Sequence, residues 1–270
     1  MAIRRRARLG QVFLADRRVE KRILEALRLR PSDAVLEIGA GPGNMTARLA
    51  REAAQVVAVE LDPRWAQSLR EQFSGQGRVR ILEADILKVS LDVVAQELGC
   101  RRLKVFGNLP YYITSPCLLH LFRYCDWIEE ITVMVQREVA ERITAPPGSR
   151  EYGLFTVTCQ YYTRPRLLFT IPPGAFRNPP RVESALVQMP VAPQKETLGI
   201  RDEAEFWEWM RAAFAQKRKT LANNWKGWCS SRRLRAAMET RGIERTARAE
   251  SLSLAQLASL YVLLRGPGEE

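Results

Sequence analysis

The sequence predicts an α/β protein, a mostly parallel doubly wound sheet followed by a small all-helical domain. Three observations predict it. Short β-branched runs recur from residue 34 onward at intervals that leave room for one helix each. The runs are continuously apolar, as strands buried on both faces by crossover helices must be. Behind Pro190 the pattern changes to helical periodicity after a linker-like stretch, VAPQKETLG.

Taken in order, Ala34 to Ile38, Gln55 to Val59, Val79 to Leu82, Lys104 to Phe106 and Ile131 to Val135 read as the parallel strands. Leu167 to Ile171 and Ser184 to Met189 read as a later pair, joined by PPGAFRNPPR, which must be a loop. Helices are expected at 202–216, 218–227, 230–240 and 253–264, with Asp202 and Ser253 as caps. The expected division is 1–193, beginning with a basic segment 1–30, and 194–270.

Composition narrows the function. The 270 residues carry a formal charge of +12, and 46% are hydrophobic, which excludes a disordered or collagen-like chain. No apolar run is long enough for a membrane span, and Arg4, Arg5, Arg6 and Arg8 lead into no apolar leader segment, so a cytoplasmic protein is expected. The five cysteines never fall in a CxxC spacing, and the single histidine, His120, lies in the apolar stretch SPCLLHLF. A zinc site and a histidine-based nucleophilic triad are both disfavoured; no metal is expected.

The charge is concentrated at the two ends. Residues 1–30 hold ten basic against three acidic side chains, and Phe214 to Arg235 holds seven cations and no acid: Lys217, Arg218, Lys219, Lys226, Arg232, Arg233 and Arg235. Trp225 and Trp228 lie among them. Clustered cations release counterions from a polyphosphate, and aromatic faces stack unpaired bases, so the expected partner is nucleic acid rather than a merely solvated helix face.

The loop after the first strand reads Glu37, Ile38, Gly39, Ala40, Gly41, Pro42, Gly43. Its glycines permit a tight turn and close approach of a ligand to the backbone. The spacing is GxGxG and not GxGxxG, and the neighbouring Glu37 carboxylate opposes a pyrophosphate, which disfavours a dinucleotide. Glu60 ends the second strand at the spacing of a ribose-binding carboxylate. After the third strand, Asp85 is placed to accept an adenine amino group, with the N–H of Ile86 serving a ring nitrogen. As lone residues, Glu60 and Asp85 are also ordinary helix caps. Together with the loop they predict S-adenosylmethionine (AdoMet).

After the fourth strand comes Asn108, Leu109, Pro110, Tyr111. An exocyclic amine conjugated to a purine is a weak nucleophile and needs its two N–H groups held by acceptors. The Asn108 side chain and the Leu109 carbonyl supply two, Pro110 sets the turn, and Tyr111 offers a stacking face. Asn and Pro also mark plain turns, so the motif gains its weight from the cofactor loop before it.

With these motifs in view, the chain resembles the AdoMet-dependent ribosomal RNA adenine N6,N6-dimethyltransferases, and their small-subunit branch in particular. The resemblance runs through LGQVFL (9–14), EIGAGPGNMT (37–46), VELD (59–62), EAD (83–85), NLPY (108–111), PPGAFRNPPRVESALV (172–187) and FAQKRKTLANN (214–224). It implies a Rossmann-like class I methyltransferase fold and dimethylation of two adjacent adenosines of 16S rRNA in the small ribosomal subunit or its precursor, by a monomer. It further implies cofactor contacts from Gln11, Phe13 and Leu14, from Glu37 and the Gly39, Ala40, Gly41, Gly43 loop, from Glu60 and Leu61, and from Asp85, Ile86 and Asn108. Phe176 matches the aromatic that closes over the target base. RNA contacts are expected from Arg4, Arg5, Arg6, Arg8, Lys217, Arg218, Lys219, Lys226, Arg232 and Arg233. Two departures stand out: Val12 replaces the family's usual Asn, and Phe176 is followed by RNPP where FxPxP is usual. A large-subunit adenine methyltransferase and a nonenzymatic RNA-binding assembly factor remain as alternatives.

Overall fold

The structure, a computed structural model, describes residues 13–110 and 112–265. The chain divides into two compact units, one made of Met1–Ala140 and Pro165–Val191, the other of Glu141–Arg164 and Ala192–Glu270. The expected linear cut near residue 193 differs from this division, because 141–164 packs with the helices that come last.

The first unit is a seven-stranded sheet in the order β3-β2-β1-β4-β5-β7-β6, with β1 Ala34–Ile38, β2 Gln55–Glu60, β3 Val79–Glu83, β4 Leu103–Asn108, β5 Ile128–Gln136, β6 Arg166–Ile171 and β7 Ser184–Pro190. β1 to β5 are parallel; β7 runs antiparallel between β5 and β6. The late pair closes the sheet as a hairpin with a long loop. All five residues of β1 are buried, as the continuous apolar run requires.

α1 (Arg17–Leu27) precedes β1, the helices α2 (Asn44–Glu52), α3 (Pro63–Gln72), α4 (Leu91–Glu97) and α5 (Thr114–Phe122) occupy the connections from β1 to β5, and α6 (Arg137–Thr144) follows β5. Asp16 caps α1 through the N–H groups of Arg18 and Val19, and Asp62 with Pro63 starts α3. Ile23 and Leu27 of α1 and Leu49 of α2 share one apolar cluster with Val35, Val56, Phe106 and Met134 of the sheet. At the amino ends of the strands, the buried Lys104 ammonium lies 3.0 Å from Asp33 and also donates to the Arg28 carbonyl. His120 is structural: its ring Nε2 donates to the Val89 carbonyl at 2.9 Å.

The second unit consists of α7 (Leu154–Tyr162), α8 (Glu203–Ala213), α9 (Leu221–Asn224), α10 (Ser231–Thr240) and α11 (Leu254–Arg265). Its core is aromatic. Tyr161 stacks on Phe206 at 5.6 Å, and Trp209 meets the edges of Trp225 and Tyr261. Asp202 caps α8, and Ser253 accepts from the Gln256 N–H at the start of α11. The helix expected over 218–227 is only the single turn α9. Thr220 accepts the Asn223 N–H and so begins the turn late, while Gly227 at φ +92 ends the segment.

Candidate active site

Strand order reverses between β1 and β4, so the connections from the two strands leave in opposite directions and open a crevice at their carboxyl ends. The chain's unusual residues collect there. Gly41 has φ +52, and a Cβ on it would sit 2.7 Å from the Phe13 ring; Gly43 has φ +81 and caps α2, with a would-be Cβ 2.8 Å from Leu69. Only glycine meets both requirements. The loop is a cradle that a side chain would fill.

The Glu60 carboxylate, 3% exposed, ties two turns together. Oε2 accepts the Gly41 N–H and Oε1 the Asp62 N–H, each at 2.8 Å. A carboxylate retains lone pairs beyond these two bonds, so both oxygens can still accept from vicinal hydroxyls. At the end of β3, Asp85 caps the short turn Ile86–Lys88 by accepting the Leu87 N–H with Oδ1. Capping and ligand binding are therefore compatible at Asp85, because Oδ2 has no such engagement among the described residues.

Glu37 is the most perturbed acid of the site. It is 2% exposed, and its Oε2 accepts the Thr46 hydroxyl at 2.5 Å. Burial pushes its carboxyl up to about 7; the hydrogen bond opposes the shift and the nearby Glu60 charge adds to it. Such a group stabilises a cation brought beside it.

Two neighbouring cavities open on these residues. The larger, about 860 Å³ counting the space open to solvent, is lined by Phe13, Gly39, Gly41, Glu60, Leu61, Asp85, Ile86, Asn108, Leu109, Pro110 and Phe176, among others. The smaller, about 410 Å³, is lined by Leu14, Glu37, Ala40, Asn44 and Met45. Asn108, Gly39 and Phe13 line both. Gly43 lines neither, and acts through loop geometry. The larger cavity presents the Glu60 and Asp85 carboxylates, which could hold a nucleoside, and the smaller one presents Glu37, which could hold a zwitterionic tail. These are the two halves of AdoMet.

Phe176 is buried and forms an isolated antiparallel bridge with Leu14. The Arg177 N–H donates to the Phe13 carbonyl at 2.9 Å, and the Ala15 and Asp16 N–H groups donate to the Ala175 carbonyl at 2.8 and 3.0 Å. The loop after β6 is thus stitched to the segment leading into α1. The Leu109 N–H donates to the Met134 carbonyl, which holds the turn after β4. Gln11, Val12 and Tyr111, and the four arginines Arg4, Arg5, Arg6 and Arg8, lie outside the described residues.

Six residues lining the larger cavity escaped the sequence reading: Ile38, Val59, Ala84, Tyr112, Ile113 and Ser184. Tyr112 is 58% exposed and lines the larger cavity, where burial and the charge of Asp85 both push its phenol up. Ser184, at the start of β7, lines it too. Tyr112 carried a signal, since it extends the reactive loop by one aromatic; Ser184 carried none, because only the antiparallel placement of β7 brings it there.

On the second unit, Lys217, Arg218, Lys219, Lys226, Arg232 and Arg233 are all exposed. Lys217 donates to the Arg150 carbonyl, and Arg233 to that of Leu264. The expectation that Trp225 offers a stacking face is wrong. Its side chain is fully buried, and its indole N–H donates to the Trp209 carbonyl at 3.0 Å. Trp228 remains 40% exposed. Among the described residues no group of three or more His, Cys, Asp or Glu is placed to hold a metal ion, and no helix is long and apolar enough to cross a membrane.

Residues 2–265 match the family model described as ribosomal RNA adenine dimethylase. The chain is 43% identical to the ribosomal RNA small subunit methyltransferase A of Koribacter versatilis, over 97% of this chain and 95% of that protein. With the protein of the same description from Acidobacterium capsulatum the identity is 44%, over 94% and 89%. Among solved structures, the 23S rRNA methyltransferase ErmE superposes with a TM-score of 0.72 at 27% identity, covering 93% of this chain and 99% of that one. A dimethyladenosine transferase from Plasmodium falciparum shares the fold, with a TM-score of 0.77 at 22% identity over 92% and 95%.

Proposed function

Because the chain belongs to the ribosomal RNA adenine dimethylase family, we propose that it transfers methyl groups from AdoMet to N6 of two adjacent adenosines in 16S rRNA, twice at each. The observation that carries the mechanism is the position of Asn108. It stands at the end of β4, on the wall common to both cavities, with Leu109, Pro110 and Phe176 around the larger one. Donor and acceptor must meet at such a junction.

When bound, AdoMet supplies an already activated methyl group, so no covalent enzyme intermediate is needed. Glu60 holds the ribose hydroxyls, Asp85 and the Ile86 N–H the adenine, and Glu37 the cationic tail. The Asn108 side-chain carbonyl and the Leu109 backbone carbonyl accept from the target amine and turn its lone pair toward the methyl. Phe176 covers the base from one face and excludes water. Positive charge grows on N6 as the bond forms, and fixed carbonyl dipoles favour that change more than they favour the ground state. The proton leaves after transfer, when the nitrogen has become acidic, so no strong base is required.

The relatives described as small-subunit enzymes, at 43 and 44% identity, support 16S rRNA as substrate over the large-subunit RNA named for ErmE. In the same reading the protein acts as a monomer in the cytoplasm, where its RNA substrate is assembled. The test is incubation with labelled AdoMet and unmethylated small subunits or unmethylated large-subunit RNA, followed by nucleoside mass spectrometry. Dimethyladenosine from the small subunit alone is the expected result. Label confined to large-subunit RNA overturns the substrate, and no label on either despite AdoMet binding overturns the enzyme.

A further inference from the structure

The cations assigned to RNA so far lie among the first eight residues and on the second unit, yet α1 and the Phe176 loop carry a further set. Arg17, Arg18, Lys21 and Arg22 are spaced i, i+1, i+4 and i+5 along α1, which puts them on one helical face. All four are exposed, while Val19, Glu20, Ile23 and Leu27 are buried on the other side. Arg177 and Arg181, also exposed, belong to the loop that carries Phe176. The hydrogen bonds of Arg177 to Phe13, and of Ala15 and Asp16 to Ala175, bring that loop against the start of α1.

Of this rim only Lys21 has an acidic partner among the described residues. Glu25 lies 3.7 Å from Lys21, Glu183 is taken by Arg137, and the buried Glu20 faces Arg48 of α2. Asp16 spends its carboxylate on the backbone N–H groups of α1. Arg22 lies over the Phe169 ring at 4.0 Å. Arg17, Arg18, Arg177 and Arg181 make no ion pair among the described residues. Exposed cations, most of them without an ion pair, on α1 and on the loop whose Phe176 lines the cavity, suit a polyanion whose charges are evenly spaced along a chain.

We propose that the exposed face of α1, together with Arg177 and Arg181, holds the sugar–phosphate backbone of the RNA strand that delivers its base to the cleft. The proposal rests on the function stated above, and connectivity gives it direction. A base inserted beside Phe176 stays covalently joined to its own phosphates, so these must lie at the rim within a nucleotide or two of the opening. The residue after Phe176 is Arg177. Phosphate contacts of this kind set register without reading sequence, which places the strand and leaves the choice of base to the pocket.

The test uses the full-length chain with Arg17→Gln, Arg18→Gln and Arg177→Gln combined, binding unmethylated 16S rRNA between 50 and 200 mM salt. Three lost phosphate contacts lower the slope of log affinity against log salt by about 2 to 3, and weaken binding about tenfold or more near 150 mM. The effect on methyl transfer falls on KM for RNA more than on kcat, and calorimetry gives an AdoMet affinity equal to that of the parent chain. Lys217→Gln, Arg218→Gln and Lys219→Gln combined form the comparison. If that variant loses salt-dependent affinity and the rim variant does not, the rim is only a solvated face and the proposal falls alone. If the parent chain binds the RNA without salt dependence, the proposal falls together with the RNA reading of the whole protein.

Discussion

The two units bury polar and aromatic groups for opposite ends. In the sheet unit, Glu37, Glu60 and the end of β4 are packed around open space, and the buried groups face a cavity. In the helical unit, Tyr161, Phe206, Trp209, Trp225 and Tyr261 are packed around one another. The first arrangement holds one acid, Glu37, where burial disfavours its charge, and the second gains aromatic contact within its core. Removing a side chain should therefore cost activity in the one and stability in the other.

The sharpest break of that contrast is Trp225→Ala. It is expected to destabilise the helical unit by about 3 to 5 kcal/mol, measured by denaturant unfolding, because it empties a filled core. A neutral effect on stability with weakened RNA binding would return Trp225 to the surface role that its neighbours in sequence suggest. Asn108→Ala is the mirror experiment. Loss of one acceptor felt mainly in the transition state lowers kcat by about 10² to 10³, with a small change in AdoMet affinity and in the unfolding midpoint. Unchanged turnover sinks the assignment.

Glu37 makes the contrast depend on pH. Its folded carboxyl titrates at about 7 against an ordinary 4.5, so between those values the folded chain holds a proton that the unfolded chain has released. Its contribution to stability is full below pH 4.5 and falls as pH rises toward 7, by on the order of 3 kcal/mol at most. Glu37→Gln removes that slope, which unfolding midpoints at pH 5 and pH 8 measure. A slope unchanged in the variant assigns it elsewhere. The smallest effect is expected for Glu60→Ala, which weakens AdoMet by about 1 to 3 kcal/mol through the loss of a charge-assisted acceptor. Calorimetry showing equal affinity counts against the ribose role.

What the sequence made legible is what a strand end demands locally. Gly41 and Gly43 announce themselves because no other residue takes their backbone angles beside Phe13 and Leu69. Glu60 and Asp85 are legible because each lies at the carboxyl end of its strand, Glu60 as the last residue of β2 and Asp85 two residues past β3. Ser184 was not legible, since the β5–β7 pairing that brings it to the cleft spans about fifty residues of chain. Trp225 was misread for a different reason: a run of cations records composition, and composition does not say which way an indole points. The same blindness hid Glu141–Arg164, whose Tyr152, Val157 and Tyr161 join the core built by Phe206, Trp209 and Leu257.

That excursion of 141–164 bears on how the protein is made. During synthesis α7 emerges well before α8, α10 and α11, and the apolar side chains of Val157 and Tyr161 lack most of their cluster until those helices follow. Apolar surface left exposed in that interval is prone to aggregation. A truncation after residue 193 would freeze the chain in that immature state, so the last-made helices cannot be trimmed away or exchanged like a cassette.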